Sequence, residues 1–319
     1  MGWYLLRRVG QAVVVLWAAY TLTFVILYLL PGDPVSAAAS AGVEAGTITA
    51  DDLAALRAAN GLDQPLVVQY LHHLGAVLRG DLGTSITLGR PVSTLLAEAL
   101  PPTAQLAGAA LGLAVLGGGG LAVLATYTRA RWLRQLLLSL PPLGVSVPVF
   151  WVGLMLVQLF SFTLPWFPAF GDSAPGAIVL PAVTMAVPTG AMVAQVLAKS
   201  LLTAAEEPYV DTATAKGAGR WRVHLRHVLR NASLPALTVV GLILGNLLAS
   251  AVVVETVFGR NGMGRLTQSA VGTQDTPVVQ GVVLFGALVF VVTNLLVDLV
   301  YPLLDPRIVV APRRRLAPA

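Results

Sequence analysis

Chemistry has few places to occur in this sequence, because 56% of its residues are hydrophobic and only 11% are charged. The longest polar stretch of the second half is Glu206 to Pro235, EEPYVDTATAKGAGRWRVHLRHVLRNASLP. It holds five of the chain's 20 Lys and Arg: Lys216, Arg220, Arg222, Arg226 and Arg230. What such a stretch offers is recognition through charge and close backbone approach, not bond breaking. Other candidates are isolated. His72 and His73 stand in tandem with no third metal ligand nearby in sequence, so they read as helix-surface histidines. Asp298 is the only ionisable residue read within an apolar span. An intramembrane carboxylate is a functional candidate by default, but here, near the cytoplasmic end, pairing with an arginine is the plainer reading. There is no phosphate loop, no HExxH and no GxSxG. Cysteine is absent, which excludes a disulfide framework, a thiol nucleophile and a cysteine metal site. The chain therefore reads as a non-enzyme with no cofactor or metal of its own. Its net charge of +5 is not a nucleic-acid signature, because the basic residues lie between apolar runs.

Two short helices are predicted inside the polar stretch. Pro208 suits the first turn of the first helix, with Glu206 and Glu207 near its positive end. That helix carries Tyr209, Val210, Ala213 and Ala215 and stops at Gly217, a left-handed cap. Ala213 and Ala215 are small enough for a partner to approach the backbone closely. The second helix runs from about Gly219 to Asn231. Trp221, Leu225 and Val228 share one face at helical spacing, and Arg222, Arg226 and Arg230 form a second stripe. On the residues alone two readings stand. One is a basic amphipathic helix lying on an anionic leaflet; the other is a docking surface for another protein.

The elements that must position this stretch are apolar runs near the ~20 residues that cross a bilayer core. The chain is read as an all-α integral membrane protein with six spans: Val9 to Leu30, Ala104 to Tyr127, Leu136 to Phe162, Ile178 to Ala198, Ala236 to Val254 and Val278 to Leu304. The first run is longer than the ~7–15 residues of a signal-peptide core and ends without a small-residue cleavage site, so it reads as a span. A cut near Ala37 to Ala41 is the weaker alternative. With both termini inside, 15 Lys and Arg fall on cytoplasmic segments and 5 on external ones. That bias places Glu206 to Pro235 in the cytoplasm.

Four regions follow: residues 1–30, the N-terminus and first span; 31–103, an external helical segment; 104–305, a five-helix core with a cytoplasmic loop over 204–235; and 306–319, a basic tail. In the external segment, Thr49 and Asp52 resemble a capping box before Leu53, Leu56 and Ala59, and Gly61 ends that helix. Val68, Leu71, Leu74 and Leu78 form the stripe of a second amphipathic helix after Pro65. Gly80 to Gly83 is a turn, and Pro91 starts a third short helix. In the second span, Gly108, Gly112 and Gly117 to Gly120 let helices approach closely. Pro141, Pro142 and Pro148 interrupt the third span, a break tolerated only against protein or a water-filled path.

Several of these strings resemble one known family. DTATAKG, Asp211 to Gly217, looks like the EAA loop of ABC importer permeases, with Asp and Thr where the general motif has Glu and Ala. YVDTATAKGAG with LRHVLRNASLP is similar to the dipeptide, oligopeptide and nickel branch. LPGDP, GLDQPLVVQYLHHL, GDLGTS and LLSLPPLGVSVPVFWVGL resemble the same branch, as do ETVF (Glu255 to Phe258) and GMGRL (Gly262 to Leu266). The resemblance covers nearly the whole chain in the expected order.

It implies a type I importer permease fold in the cytoplasmic membrane. It also implies partners: a second homologous permease, two ABC ATPase subunits that hold ATP and Mg2+, and an external solute-binding protein that delivers substrate. Tyr209, Asp211, Ala213, Ala215, Lys216, Gly217 and Arg220 would form the ATPase-coupling site. Glu255, Phe258 and Met263 would lie at the external gate, beside a re-entrant segment. Peptides are the expected substrate, with nickel, glutathione and oligosaccharides as alternatives within the branch. A secondary transporter or channel working alone is the rival reading. It lacks the buried mid-membrane ionisable groups that ion-coupled carriers use.

Overall fold

The computed structural model describes residues 2–29 and 63–304, which are predominantly helical. In order they form α1 (Gly2–Leu29), α2 (Leu66–Leu78), α3 (Val92–Tyr127), α4 (Arg131–Ser146), α5 (Val149–Val157), α6 (Val179–Ala205), α7 (Pro208–Ala215), α8 (Arg220–Arg222), α9 (Leu229–Phe258), α10 (Met263–Gly272) and α11 (Thr276–Leu304). A π turn at Gln158–Thr163 extends α5, and a second at Val223–Val228 joins α8 to α9. The helix expected around Leu53, its Thr49 cap, the Gly61 stop and the basic tail lie outside the described residues, as does the side chain of Asp298.

Among the described residues four helical stretches are long and apolar enough to cross a membrane: Arg7–Leu27, Val92–Tyr127, Val179–Ala205 and Thr276–Leu295. The pair Arg131–Ser146 and Val149–Thr163 makes a fifth if it counts as one broken span, bent by 103°. The break has a local cause. Val147 precedes Pro148 and is held extended, φ −86° and ψ 129°, because the proline ring disfavours helical backbone before it. Pro141 and Pro142, expected to interrupt the span, sit inside α4. The run expected as the fifth span, Ala236 to Val254, lies within α9.

Two expected boundaries are absent. The short helix from Pro91 and the span from Ala104 are one element, α3, which runs through Pro101 and Pro102. Those prolines remove the donors for the carbonyls of Ala97 and Glu98, both exposed residues. The second helix of the polar stretch does not stop at Asn231 either; it continues as α9 through Pro235 to Phe258. Asp298 is therefore not the only ionisable residue inside a long apolar helix, because α9 includes Glu255.

The chain folds as two compact units. The first comprises Met1–Ala107, Gly153–Pro181 and Leu248–Val291. Its core packs Val92, Leu95, Leu96 and Ala99 of α3 against Met263 and Ala270 of α10 and Val278 and Val279 of α11. A buried carboxylate pins the loop before α3. Asp275 accepts hydrogen bonds from the hydroxyls of Ser85 (2.5 Å) and Thr87 (2.6 Å) and from the amides of Ile86 (3.2 Å) and Thr87 (3.1 Å). Helix α2 departs from expectation. Of the stripe, Val68, Leu71 and Leu78 face outward and Leu74 is half-buried, while Gln69 turns inward.

The second unit comprises Gly108–Val152, Ala182–Leu247 and Val292–Ala319. Its core is built from small residues: Ala122 of α3, Ala198 and Leu201 of α6, Val223 and Val228 of the π turn, and Ala232 and Ala236 of α9. Between apolar helices in a bilayer, close van der Waals packing replaces the hydrophobic drive of soluble cores. Gly118 shows how close: a Cβ there would stand 2.1 Å from the Gly190 carbonyl oxygen on α6. Gly118→Val is expected to destabilise this unit by roughly 1–3 kcal/mol or prevent its assembly. Gly117→Val, at a position with open space, should not. Thermal unfolding of the two purified variants in detergent checks the contrast.

Candidate functional site

Helix α7 and its flanks belong to the second unit. Pro208 occupies its first turn, as its fixed φ favours. Its end is a complete Schellman motif. Gly217 sits at φ +82°, its amide donates to Thr214 (2.9 Å), and the Ala218 amide donates to Ala213 (3.2 Å). Ala213 and Ala218 then pack side by side, with Val210, on the unit's core. This divides the expected coupling residues. Asp211, Ala215, Lys216 and Gly217 are exposed. Ala213 faces inward, correcting the expectation that both alanines present a free surface. Tyr209 is partly buried, and its hydroxyl donates to the Ala204 carbonyl (3.1 Å), tying α7 back to α6.

Arg220 also points back into the chain. Its guanidinium donates to the Tyr127 carbonyl at the end of α3 and lies over the Tyr127 ring, 4.5 Å from the centroid. The same ring receives the edge of Trp221 at 5.0 Å and packs against His224 at 5.6 Å. His224 is buried, with Nε2 3.2 Å from the Thr126 hydroxyl. Burial lowers its pKa from the ordinary 6.5; the Val123 backbone opposes that shift and the Arg220 charge adds to it.

The expected face of Trp221, Leu225 and Val228 does not form. A π turn advances fewer degrees per residue than an α-helix, so residues five apart share a side. Val223 and Val228 are buried together, while Trp221 stays half exposed. The stripe of Arg222, Arg226 and Arg230 is exposed as expected.

The three expected gate residues lie in the first unit. Glu255, Phe258 and Met263 are all buried. The Glu255 carboxylate is a knot. It accepts the Thr103 hydroxyl (2.6 Å) on one oxygen and the Gly264 amide (2.6 Å) on the other, and Thr103 in turn accepts the Met263 amide (2.8 Å). Both glycines of Gly262-Met263-Gly264 are required by this approach. A Cβ at Gly262 would stand 2.2 Å from a Glu255 oxygen, and one at Gly264 2.4 Å from the Val252 Cα. The turn between α9 and α10 is tied once more. Arg260, itself buried, pairs with Asp172 at 3.1 Å, and the Asn261 amide donates to the same carboxylate (2.7 Å). His72 and His73 stand on α2 with ring centroids 5.8 Å apart, and no group of three metal-ligating side chains occurs among the described residues.

Sequence reasoning missed Thr103, Tyr127, Asp172, His224 and Asp275. The paired glycines around Met263 were a readable sign of a close approach, but nothing in the sequence named what approaches. The other partners are set by tertiary contacts between distant segments.

Comparison with known proteins adds the following. Residues 118–310 match the family model of the binding-protein-dependent transport system inner membrane component, and residues 1–107 match the N-terminal model of such membrane components. A peptide transport system permease of Brucella suis is 39% identical over 312 residues, covering 95% of this chain and 98% of the relative. The glutathione transport system permease GsiC of Salmonella typhimurium is 39% identical, covering 96% and 98%. Among solved structures, an inward-facing form of the MetNI methionine ABC transporter matches with a TM-score of 0.55 at 16% identity, covering 66% of this chain and 96% of that one. At that identity the likeness speaks to the fold.

Two measurements probe the geometry. Glu255→Ala orphans the buried Gly264 amide and leaves the Thr103 hydroxyl only its 3.3 Å bond to the Ala99 carbonyl, and should cost about 1–3 kcal/mol for the lost amide partner. Thermal unfolding of the purified transporter reads this, with Phe258→Leu as a milder comparison in the same core. His224 gives a pH dependence. With a folded pKa below 6.5, the unfolded chain binds more protons, so its contribution is complete above 6.5 and is lost as pH falls toward the folded value. The unfolding temperature should therefore fall more steeply below pH 6.5 in the native chain than in His224→Gln. Parallel curves would remove His224 from the account.

Proposed function

The chain belongs to the family of binding-protein-dependent transport system inner membrane components, and from that premise we propose how it couples peptide import to ATP hydrolysis. It is a multi-pass permease of the cytoplasmic membrane, of the ABC importer class that carries peptides. Relatives named for peptide transport and for glutathione transport point to short peptides, because glutathione is itself a tripeptide. In this reading an external solute-binding protein delivers the peptide, and this chain with a second homologous permease forms the pathway through six spans from each. Two ATPase subunits dock from the cytoplasm and hold ATP and Mg2+.

One observation carries the coupling proposal. Helix α7 is fixed on its inner side by Tyr209, Ala213 and the Gly217 cap, while Asp211, Ala215, Lys216 and Gly217 are left exposed. A short rigid helix with a small, partly charged outer face suits a cleft in an ATPase subunit. Arg220 acts as a positioning residue that locks the loop to the end of α3. When the ATPases close, they would carry α7 with them, and the chain would move between inward-open and outward-open forms. On the external side, Glu255, Phe258 and Met263 hold the turn that acts as the outer gate. Glu255 works there by positioning α10, not by touching substrate.

Ala215→Arg tests the docking face, since it adds bulk and charge at an exposed position. Co-purification of the ATPase should fall about tenfold or more, about 1.4 kcal/mol of interface energy, with normal amounts of permease in the membrane. Unchanged ATPase yield and unchanged peptide uptake would take α7 out of the interface. Gly217→Val should lower uptake by a different route, because a β-branched residue resists φ +82° and the cap would open.

A further inference from the structure

Helix α2 is amphipathic the wrong way round for a helix in water. Val67, Leu71 and Leu78 are 69%, 60% and 80% exposed, while Gln69 is only 4% exposed. Gln69 is buried and His73 half-buried, and together with the exposed His72 they line a cavity of about 380 Å³ with Tyr20 and Gln280 of the same unit. The Gln69 amide is satisfied there by the Gln64 carbonyl at 2.7 Å. Water would favour the opposite arrangement. A hydrocarbon solvent favours this one, because polar groups must find partners inside the protein while apolar side chains face out at no cost.

The depth at which α2 meets α1 agrees. The Tyr70 hydroxyl hydrogen-bonds Thr21 at 2.7 Å, and its ring packs edge-on to Phe24 at 5.2 Å and tilted against Tyr20 at 6.1 Å. The candidate span of α1 is Arg7–Leu27, centred on Trp17. Tyr20 to Phe24 therefore lie about 5–10 Å beyond the centre, within the ~15 Å half-thickness of a bilayer core. On α1 the neighbouring Leu22, Val25 and Ile26 are exposed in the same manner as the outer face of α2. No charged residue occurs in Leu66–Leu78, whereas Asp63 precedes the helix and Arg79 and Asp81 follow it. At 13 residues, about 20 Å, α2 is too short to cross.

We propose that α2 lies in the plane of the membrane, sunk into the outer leaflet against α1, with Val67, Leu71 and Leu78 in contact with phospholipid acyl chains. The segment expected to be wholly external thus has a lipid-embedded floor. This rests on α1 crossing the membrane and not on the docking of α7, so the two can fail separately.

The absence of cysteine makes the test direct. Single cysteines replace Val67, Leu71, Leu78 and, as a control at the charged end, Arg79, in the full chain assembled with its partners. Each is reacted with a membrane-impermeant maleimide. Each is then labelled with a small permeant fluorophore in phosphatidylcholine vesicles with or without bromine on the acyl chains. At Val67, Leu71 and Leu78 the impermeant reagent should react at least roughly tenfold more slowly than at Arg79, because hydrocarbon disfavours the reactive thiolate. Their fluorescence should be quenched by brominated chains, and that at Arg79 should not. Rapid labelling at the three positions would mean that water covers the face. Slow labelling without quenching would mean that a partner subunit covers it. Either result overturns the proposal.

Discussion

A helix that ends inside or beside a membrane leaves four carbonyls without donors, and this chain meets that constraint repeatedly with one device. Helix α2 turns through Gly80 at φ +86°, α7 through Gly217 at φ +82° and α10 through Gln274 at φ +53°. In each, the next residue reaches back to the third-from-last helical carbonyl: Asp81 to Ala76, Ala218 to Ala213 and Asp275 to Ala270. The left-handed residue reverses the chain within two positions, so the segment after the cap leaves in a defined direction. That direction sets where Asp275 meets the Ser85 loop and where Gly219 starts the next helix. The exposed face of α7 and the pinned loop of the first unit are both downstream of this backbone geometry.

Two buried carboxylates give the first unit its remaining definition, and they do so differently. Asp275 gathers four donors from three consecutive residues of one loop, so it orders local chain. Glu255 gathers donors from α3 and from the start of α10, so it fixes separate helices against the end of α9. The glycines at 262 and 264 are the steric counterpart of that second arrangement. Both carboxylates are buried. Their work is to hold backbone at positions where few apolar contacts could be as directional.

Much of this was readable beforehand. Pro208 and Gly217 bracket α7 because proline suits a helix start and glycine a left-handed stop, and both rules act within a few residues. The apolar runs announced helices by length. What misled was periodicity read without solvent or context. The stripe Val68, Leu71, Leu74, Leu78 marks an amphipathic helix, but spacing alone does not say whether its apolar face turns toward the protein or away from it. The face Trp221, Leu225, Val228 assumed 3.6 residues per turn, and a π turn rotated it. The boundary at Pro101 and Pro102 looked like a break, yet the helix runs through both, and the two lost donors fall to exposed residues. The partners Thr103, Tyr127 and Asp172 lie scores of residues from the groups they hold, beyond the reach of any local rule.

The contact between Arg220 and Tyr127 closes a loop of 93 residues with one side chain, which bonds a carbonyl and covers the ring of the same residue. Its mechanical consequence is a second point of attachment for the segment that carries α7. Tyr209 ties the entrance of α7 to α6, and Arg220 ties its exit to α3, so α7 is a beam clamped at both ends. A load on its outer face is shared between two helices and produces torque about the line joining the clamps. The π turn beyond, Val223–Val228, holds about one residue more per turn than an α-helix, and it stands where the chain enters α9. A clamped helix and a turn of a different pitch thus stand within about 20 residues of chain, so a load on α7 meets two different backbone geometries before α9.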